Sequence, residues 1–164
     1  MKYFIDTEFV FDADNCTVIP ISLALVGEDG WAGYWVTQMF SPRYCPDFVR
    51  DHVIPVLWEF GDSDPDWCPM PLATERIQIP REIRSFIGRS GEVPEFWGDY
   101  SAFDYVVLSV LMDGFDHWPE GWPMHVNDLQ QIGLTAGPSE VPHNALCDAR
   151  AVRDVFISSP VTTS

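Results

Sequence analysis

The sequence predicts an α/β protein in which a mixed β-sheet carries helices on its faces. Two observations lead to this prediction: three β-rich segments open the chain, and helical and extended patterns alternate after them. Strands joined by short turns favour an antiparallel meander, and later strands reached through helices complete a mixed sheet. The length of 164 residues indicates one domain. We expect it to cover residues 1–158 and to be followed by a frayed tail, residues 159–164.

The strands are predicted from alternation and from β-branched residues. Residues 3–10 alternate between two faces, and residues 17–26 are rich in threonine, valine and isoleucine. The turn sequence Gly-Glu-Asp-Gly at 27–30 separates the second segment from a third strand at 31–37. Further along the chain, the short apolar run 93–97 predicts a fourth strand.

Four later segments have the apolar spacing of helices, at residues 46–58, 80–87, 102–112 and 145–157. The first is expected to end near Pro55, because proline cannot continue the hydrogen-bond pattern of a helix. The second has a proline in its first turn and Gly88 near its end. Asn144 is a favourable N-cap for the last helix.

The charge of the chain limits the ways in which it can bind nucleic acid. There are 25 acidic residues against 9 basic ones, which gives a formal net charge of −16. Binding to a duplex through phosphate neutralisation needs a large basic face, and this chain has too few basic residues to build one. It would have to hold phosphates locally, through bound metal ions or a few arginines.

Half of the eight arginines lie in one short segment, at Arg76, Arg81, Arg84 and Arg89. They form either a phosphate-tracking patch or a helix face that is paired with Glu75 and Glu82. The sequence does not decide between these two interpretations.

The location of the protein is predicted from three features. The first residues do not have the pattern of a secretory signal, and no apolar run approaches the roughly 18 residues that span a membrane. The four cysteines include no C-x-x-C pair and no zinc-ligand spacing. We therefore expect a cytoplasmic protein with reduced thiols and no membrane partner.

Asp6 and Glu8 are the first acidic residues that suggest a functional site. They lie two residues apart in a strand, so their carboxylates share one face. Ionised carboxylates without partners are strongly disfavoured in such an apolar strand. Either the pair lies at an open end of the strand in water, or a cation neutralises it.

Three further residues extend this pair. Asp104 and Asp148 each fall in the first turn of an apolar helix, and His143 precedes the last helix. Each acid alone is explained by the helix dipole. Together, four carboxylates offer hard oxygen ligands for two Mg²⁺ or Mn²⁺ ions about 4 Å apart, the arrangement used in phosphoryl transfer. Histidine titrates near neutral pH, so His143 could accept the proton of an attacking water.

With these motifs in place, the chain resembles the DEDDh branch of the ribonuclease-H-like 3′–5′ exonucleases. The resemblance is greatest to the small actinobacterial 3′-exoribonucleases described as polyadenylate-specific. It spans nearly the whole chain, and four stretches carry it, namely residues 3–9, 52–55, 96–108 and 143–150. The first and last stretches are the most specific.

The resemblance implies a ribonuclease-H-like fold, in which an antiparallel meander and then parallel strands make a five-stranded sheet with helices on both faces. It implies release of nucleoside 5′-monophosphates from the 3′ end of single-stranded RNA, two divalent cations (Mg²⁺ or Mn²⁺) and often a homodimer. The catalytic residues that match the family motifs are Asp6, Glu8, Asp104, His143 and Asp148. The four acids among them are the expected metal ligands.

Substrate contacts are expected beside these motifs, from Thr7, Phe9 and Tyr100. Phe9 follows the acidic pair directly and is the best residue for stacking on an unpaired base. Tyr100 stands where the wider superfamily often has asparagine, a departure that bears on base or sugar selection. We expect Phe103, which precedes Asp104, to lie in the core.

Parts of the sequence also suggest three other functions. A DNA 3′–5′ exonuclease is the nearest, because spacing does not reveal how the 2′-hydroxyl is read. A non-catalytic binding module of the same fold would be expected to lose ligands, yet all five catalytic positions are present. Residues 62–66 imitate the start of a calcium-binding EF-hand loop, but its sixth and twelfth positions carry Trp67 and Ala73 instead of glycine and glutamate.

Overall fold

A computed structural model describes residues 1–60 and 74–160. Its sheet has five strands in the spatial order β3-β2-β1-β4-β5, with bounds β1 Lys2–Asp12, β2 Thr17–Gly27, β3 Ala32–Val36, β4 Glu95–Gly98 and β5 Asn127–Asp128. The first three strands are antiparallel neighbours, whereas β4 pairs parallel to β1 and β5 pairs parallel to β4. The predicted mixed sheet, a meander followed by parallel strands, is confirmed.

Within these described residues, three α-helices accompany the sheet: α1 Ile79–Gly88, α2 Ala102–Leu111 and α3 Ala145–Ser158. Side chains alternate along β1, so this central strand contributes to two separate cores. Phe4 packs with α3, and its ring centroid lies 5.2 Å from that of Phe156. Ile5 points the other way and packs with α1 and α2. The helices therefore lie on both faces of the sheet, as predicted.

A β-bulge interrupts the pairing of β1 and β2 beside the acidic pair. Glu8 lies opposite Ser22, but the next residue, Phe9, lies opposite Pro20. Proline has no N–H to donate to the ladder, which explains why the regular pairing breaks here. A bulge bends its strand and re-aims the neighbouring side chains, and such bulges are frequent next to active sites.

The segment predicted as a helix over 46–58 is helical but is not a regular α-helix. Val49–Val53 is a π-helix, which the Ile54 N–H closes on the Val49 carbonyl, and Ile54–Val56 is a 3₁₀ turn. Pro55 lacks an N–H and cannot continue the wider hydrogen-bond pattern. The helical hydrogen-bond pattern therefore changes near Pro55, where the sequence predicted that the helix would end.

Several predictions fall outside the described residues. These are the EF-hand-like run 62–66, Cys68 and the last four residues, 161–164. Within the described part, Cys16, Cys45 and Cys147 are free thiols. The helices described there are all too short or too polar to cross a membrane.

Candidate active site

Three carboxylates from two elements meet on the α3 face of the sheet. Asp6 and Glu8 project from β1 on this face, and α3 places Asp148 against them from its first turn. One oxygen from each side chain lies within 4.8 Å of the others. Three oxygen ligands at this spacing are suited to a hard divalent cation.

The fourth acid, Asp104, approaches from the other side. It lies in the first turn of α2, and its side chain is buried. Its Oδ1 accepts a hydrogen bond of 2.5 Å from the Thr7 hydroxyl. The charge of Asp104 is the strongest of the neighbouring charges that raise the pKa of Asp6. The structure thus brings three of the four predicted ligands to mutual ligand distance, while Asp104 stands outside that group and is close enough for its charge to raise the pKa of Asp6.

The electrostatics of this carboxylate cluster favour a bound cation. Burial raises the pKa of Asp6 well above its usual range, and the charges of Asp104, Asp148 and Glu8 raise it further. Burial, then Asp148 and Asp104, raise the pKa of Glu8 to about 8. The pKa of Asp104 is about 7, because burial outweighs the lowering effect of its bonds to Thr7. Without a cation, the cluster retains protons at neutral pH that isolated carboxyls would release.

His143 borders the carboxylate cluster. Its backbone N–H donates to Asp148 Oδ2 at 3.0 Å, so the link to the acid runs through the main chain and leaves the ring available. The ring meets the edge of Phe48 at 5.1 Å between centroids, and the His52 ring lies 6.4 Å away. Phe48 stands at the start of the π-helix and His52 lies within it, four residues further on, so this segment brings both rings to the site.

Asn144 joins α3 to the segment that carries these rings. Its Oδ1 caps α3 by accepting from the N–H groups of Leu146 and Cys147, as predicted. Its Nδ2 also donates at 2.8 Å to the carbonyls of Val56 and Glu59, and its side chain is fully buried. The capping role was visible in the sequence, but the second set of bonds joins positions more than 80 residues apart and leaves no local signal.

Tyr100 protrudes from the turn before α2 and is 74% exposed. Its φ of 55° lies in the left-handed region, which is costly for a bulky side chain. The turn is held on both sides, because Ser101 N–H donates to Asp128 and the Asp99 carboxylate accepts from Gln130 and Ala136. The surrounding bonds therefore impose the strained conformation.

Relief of this strain should increase stability. We expect Tyr100→Gly to be more stable than Tyr100→Ala by about 1 kcal/mol, because both remove the ring but only glycine accepts the left-handed backbone without cost. Urea unfolding of the two variants measures the difference. Equal stabilities, or a more stable alanine variant, would show that the turn is not strained.

One aromatic residue beside the acids is more exposed than the sequence predicted. Phe103 was expected in the core, but it is 49% exposed, so that expectation was wrong. Adjacent helical residues point about 100° apart, and because Asp104 faces inward, Phe103 faces solvent. Phe9 is half-buried beneath it, with the rings stacked at 5.4 Å, and Phe11 meets Phe103 edge-on at 5.9 Å.

The arginine-rich segment has partners of its own. Arg76 pairs with Asp113 and Arg89 pairs with Asp29, each at 3.7 Å. Glu82, one of the partners considered from the sequence, accepts a hydrogen bond from the Trp35 indole instead. Exposed pairs of this kind contribute little to stability, about 0–1 kcal/mol each.

Comparison with known proteins places this chain in a family. No protein-family model matches the chain. Two proteins named 3′–5′ exoribonuclease are similar to it, one from Mycobacterium tuberculosis strain CDC 1551 / Oshkosh and one from strain ATCC 25618 / H37Rv. Each is 32% identical over 160 residues, a region that covers 92% of this chain and 88% of the relative. Because the similarity runs through nearly the full length of both proteins, the chain belongs to the family of 3′–5′ exoribonucleases that these relatives represent.

Proposed function

We propose that the protein is a metal-dependent DEDDh exonuclease of the ribonuclease-H-like superfamily, which removes nucleoside 5′-monophosphates from the 3′ end of single-stranded RNA. One observation carries the proposal: Asp6, Glu8 and Asp148 come from distant parts of the chain and meet within 4.8 Å. Such a half-buried group of like charges is unfavourable without a cation. The names of the relatives support the choice of RNA as the substrate.

The ligand set fits two magnesium or manganese ions. Asp6, Glu8 and Asp148 would hold one ion, and Asp104, whose charge raises the pKa of Asp6, would contribute to the second. Bound there, the two cations supply a water of lowered pKa and neutralise the charge that develops on the phosphate and the leaving oxygen. The carboxylates would hold this positive charge beside the central strand β1, where a chain of net charge −16 would otherwise repel the RNA.

His143 is proposed as the general base. Histidine is the side chain that most often accepts a proton in enzymes that work near neutral pH. The main-chain bond from His143 to Asp148 keeps the residue beside one ligand, and the imidazole makes ring contacts with Phe48 and His52. The ring can therefore receive the proton of the attacking water without being a ligand itself.

Phe9 and Tyr100 are the proposed side-chain contacts to the substrate, whereas Thr7 would contact it through its backbone, because its buried hydroxyl donates to Asp104. The ring of Tyr100 is the most accessible of the three and is suited to contact with a base or a sugar. Phe9 lies beneath Phe103, so an unpaired base would meet the Phe103 face of this stack first. The homodimer and the cytoplasmic location remain predictions from the sequence.

A nuclease assay with labelled oligomers tests the proposal. With Mg²⁺ or Mn²⁺ we expect 5′-labelled RNA to give a descending ladder and 3′-labelled RNA to release its label as a nucleoside 5′-monophosphate at once. Excess EDTA should abolish both results, because the ligand set consists of carboxylates. Undiminished cleavage in EDTA, release of 3′-phosphates or cleavage of circular RNA contradicts the mechanism. Matched DNA oligomers decide the substrate class, and equal rates on DNA contradict the preference for RNA.

A further inference from the structure

Thr7 is a polar residue in an otherwise apolar row. It lies between the two acids of β1 but points to the opposite face, the one that packs against α1 and α2. Its neighbours in that row, Tyr3 and Ile5, are buried core residues. Thr7 itself is 7% exposed. A buried hydroxyl without a hydrogen bond is costly, so its partner determines what it contributes.

That partner is the carboxylate of Asp104. The hydroxyl donates to Oδ1 at 2.5 Å, at the short end of the range for hydrogen bonds to a carboxylate. Both side chains are buried, and 97 positions of sequence separate them. The bond therefore ties α2 to β1 at the residue between Asp6 and Glu8.

Asp104 depends on this contact for its orientation more than the other three acids do. Asp6, Glu8 and Asp148 converge directly, whereas Asp104 stands outside the group that lies within 4.8 Å. A carboxylate can rotate about two side-chain bonds, so an acid at the margin needs an anchor if it is to face the same cation each time. The Thr7 hydroxyl is such an anchor.

We propose that Thr7 is a positioning residue that holds Asp104 toward Asp6 for the second cation. The proposal rests on the two-cation function proposed above. It implies that one short strand segment has two roles: residues 6 and 8 offer ligands on one face, and residue 7 orients a ligand from the other face. The bond is made to the carboxylate and not to the substrate, so its loss should weaken one of two metal sites and leave binding of RNA nearly unchanged.

Two substitutions at this position separate the hydroxyl from the packing. Thr7→Val keeps the shape, suits a strand and removes the hydroxyl, whereas Thr7→Ser keeps the hydroxyl and removes a methyl group. Mn²⁺ is titrated calorimetrically into each protein with a saturating nucleoside 5′-monophosphate present. We expect two ions in the wild type. In Thr7→Val, one ion should bind as in the wild type and the other about 10–100-fold more weakly, as is typical when an outer partner of a metal ligand is lost.

Kinetics give a second measurement. In Thr7→Val, kcat should be low at limiting Mn²⁺ and should recover as the Mn²⁺ concentration is raised. The KM for RNA should stay unchanged. Thr7→Ser should follow the wild type in both experiments. If Thr7→Val fails to fold by circular dichroism, Thr7→Ala provides a second variant without the hydroxyl.

The outcomes separate this proposal from the one on which it rests. If the wild type binds fewer than two ions, the two-cation function fails. If it binds two and Thr7→Val binds both equally well, the function stands and the role of Thr7 is wrong. Equal weakening of both ions, or equal weakening by Val and Ser, shows a packing effect and also overturns the positioning role.

Discussion

Replacing His143 with alanine should lower kcat by about 10²–10⁴-fold, the usual contribution of a general base, while Mn²⁺ binding stays close to that of the wild type. The structural reason is specific to this site. His143 contacts Asp148 through its backbone N–H, which alanine retains, and only the imidazole ring is lost. The metal ligand should therefore keep its orientation while the proton acceptor disappears.

His52 provides the matched control. It is an exposed histidine whose ring lies 6.4 Å from that of His143, so His52→Ala removes an imidazole from the same neighbourhood. Single-turnover rates at saturating Mn²⁺ should fall far less in this variant. If His143→Ala loses metal binding but retains its rate at saturating metal, the base is misassigned. An equal loss of rate in both variants would assign the effect to the aromatic surroundings.

The fold could be predicted because its determinants are local. The alternation along residues 3–10 and the N-cap at Asn144 depend only on residues that are close together in the sequence. Both β1 and α3 were found where they were expected. The segment 46–58 was harder, because a helical spacing does not specify the hydrogen-bond pattern. The segment contains a π-helix followed by a 3₁₀ turn, and Pro55 explains only why the π pattern does not continue.

The sequence predicts candidate site residues but not their geometry, and the structure brings three of the four candidate acids within 4.8 Å of one another. The motifs named all four acids, yet spacing gave no sign that Asp104 would be bonded to Thr7 or that Asn144 would tie α3 to residues 56 and 59. These bonds join distant parts of the chain and depend on how the helices dock on the sheet. Phe103 was misplaced for the same reason, since its burial depends on what covers the outer face of α2.

The second large effect is expected at Asp6. Asp6→Asn should abolish cleavage of RNA and should raise the melting temperature of the metal-free protein or leave it unchanged. Asparagine keeps the shape of the side chain but carries no charge. In the wild type, burial and the neighbouring charges of Asp104 and Asp148 raise the pKa of this carboxyl, which means that its ionised form is unfavourable in the folded protein.

The same electrostatics predict how stability depends on pH. Burial raises the pKa of Glu8 from 4.5 to about 8 and the pKa of Asp104 from 3.8 to about 7. At pH values between the ordinary and the raised pKa of each carboxyl, the folded state holds a proton that the unfolded chain releases. The free energy of unfolding therefore falls as pH rises. We expect the metal-free wild type to lose stability from about pH 4 to about pH 8, and Asp6→Asn to lose less.

Melting temperatures in EDTA and in millimolar Mn²⁺ test both expectations. A ligand at 100 times its dissociation constant stabilises the folded state by roughly 2.7 kcal/mol, and Asp6→Asn should gain much less from Mn²⁺ than the wild type does. Asp14→Asn is the control, because it removes one exposed charge from the β1–β2 turn and should leave the Mn²⁺ shift intact. Suppose instead that Asp6→Asn strongly destabilises the metal-free protein and keeps the full Mn²⁺ shift. Asp6 would then be a structural acid with another partner, and the carboxylate cluster would lose the residue on which its assignment as a metal site depends.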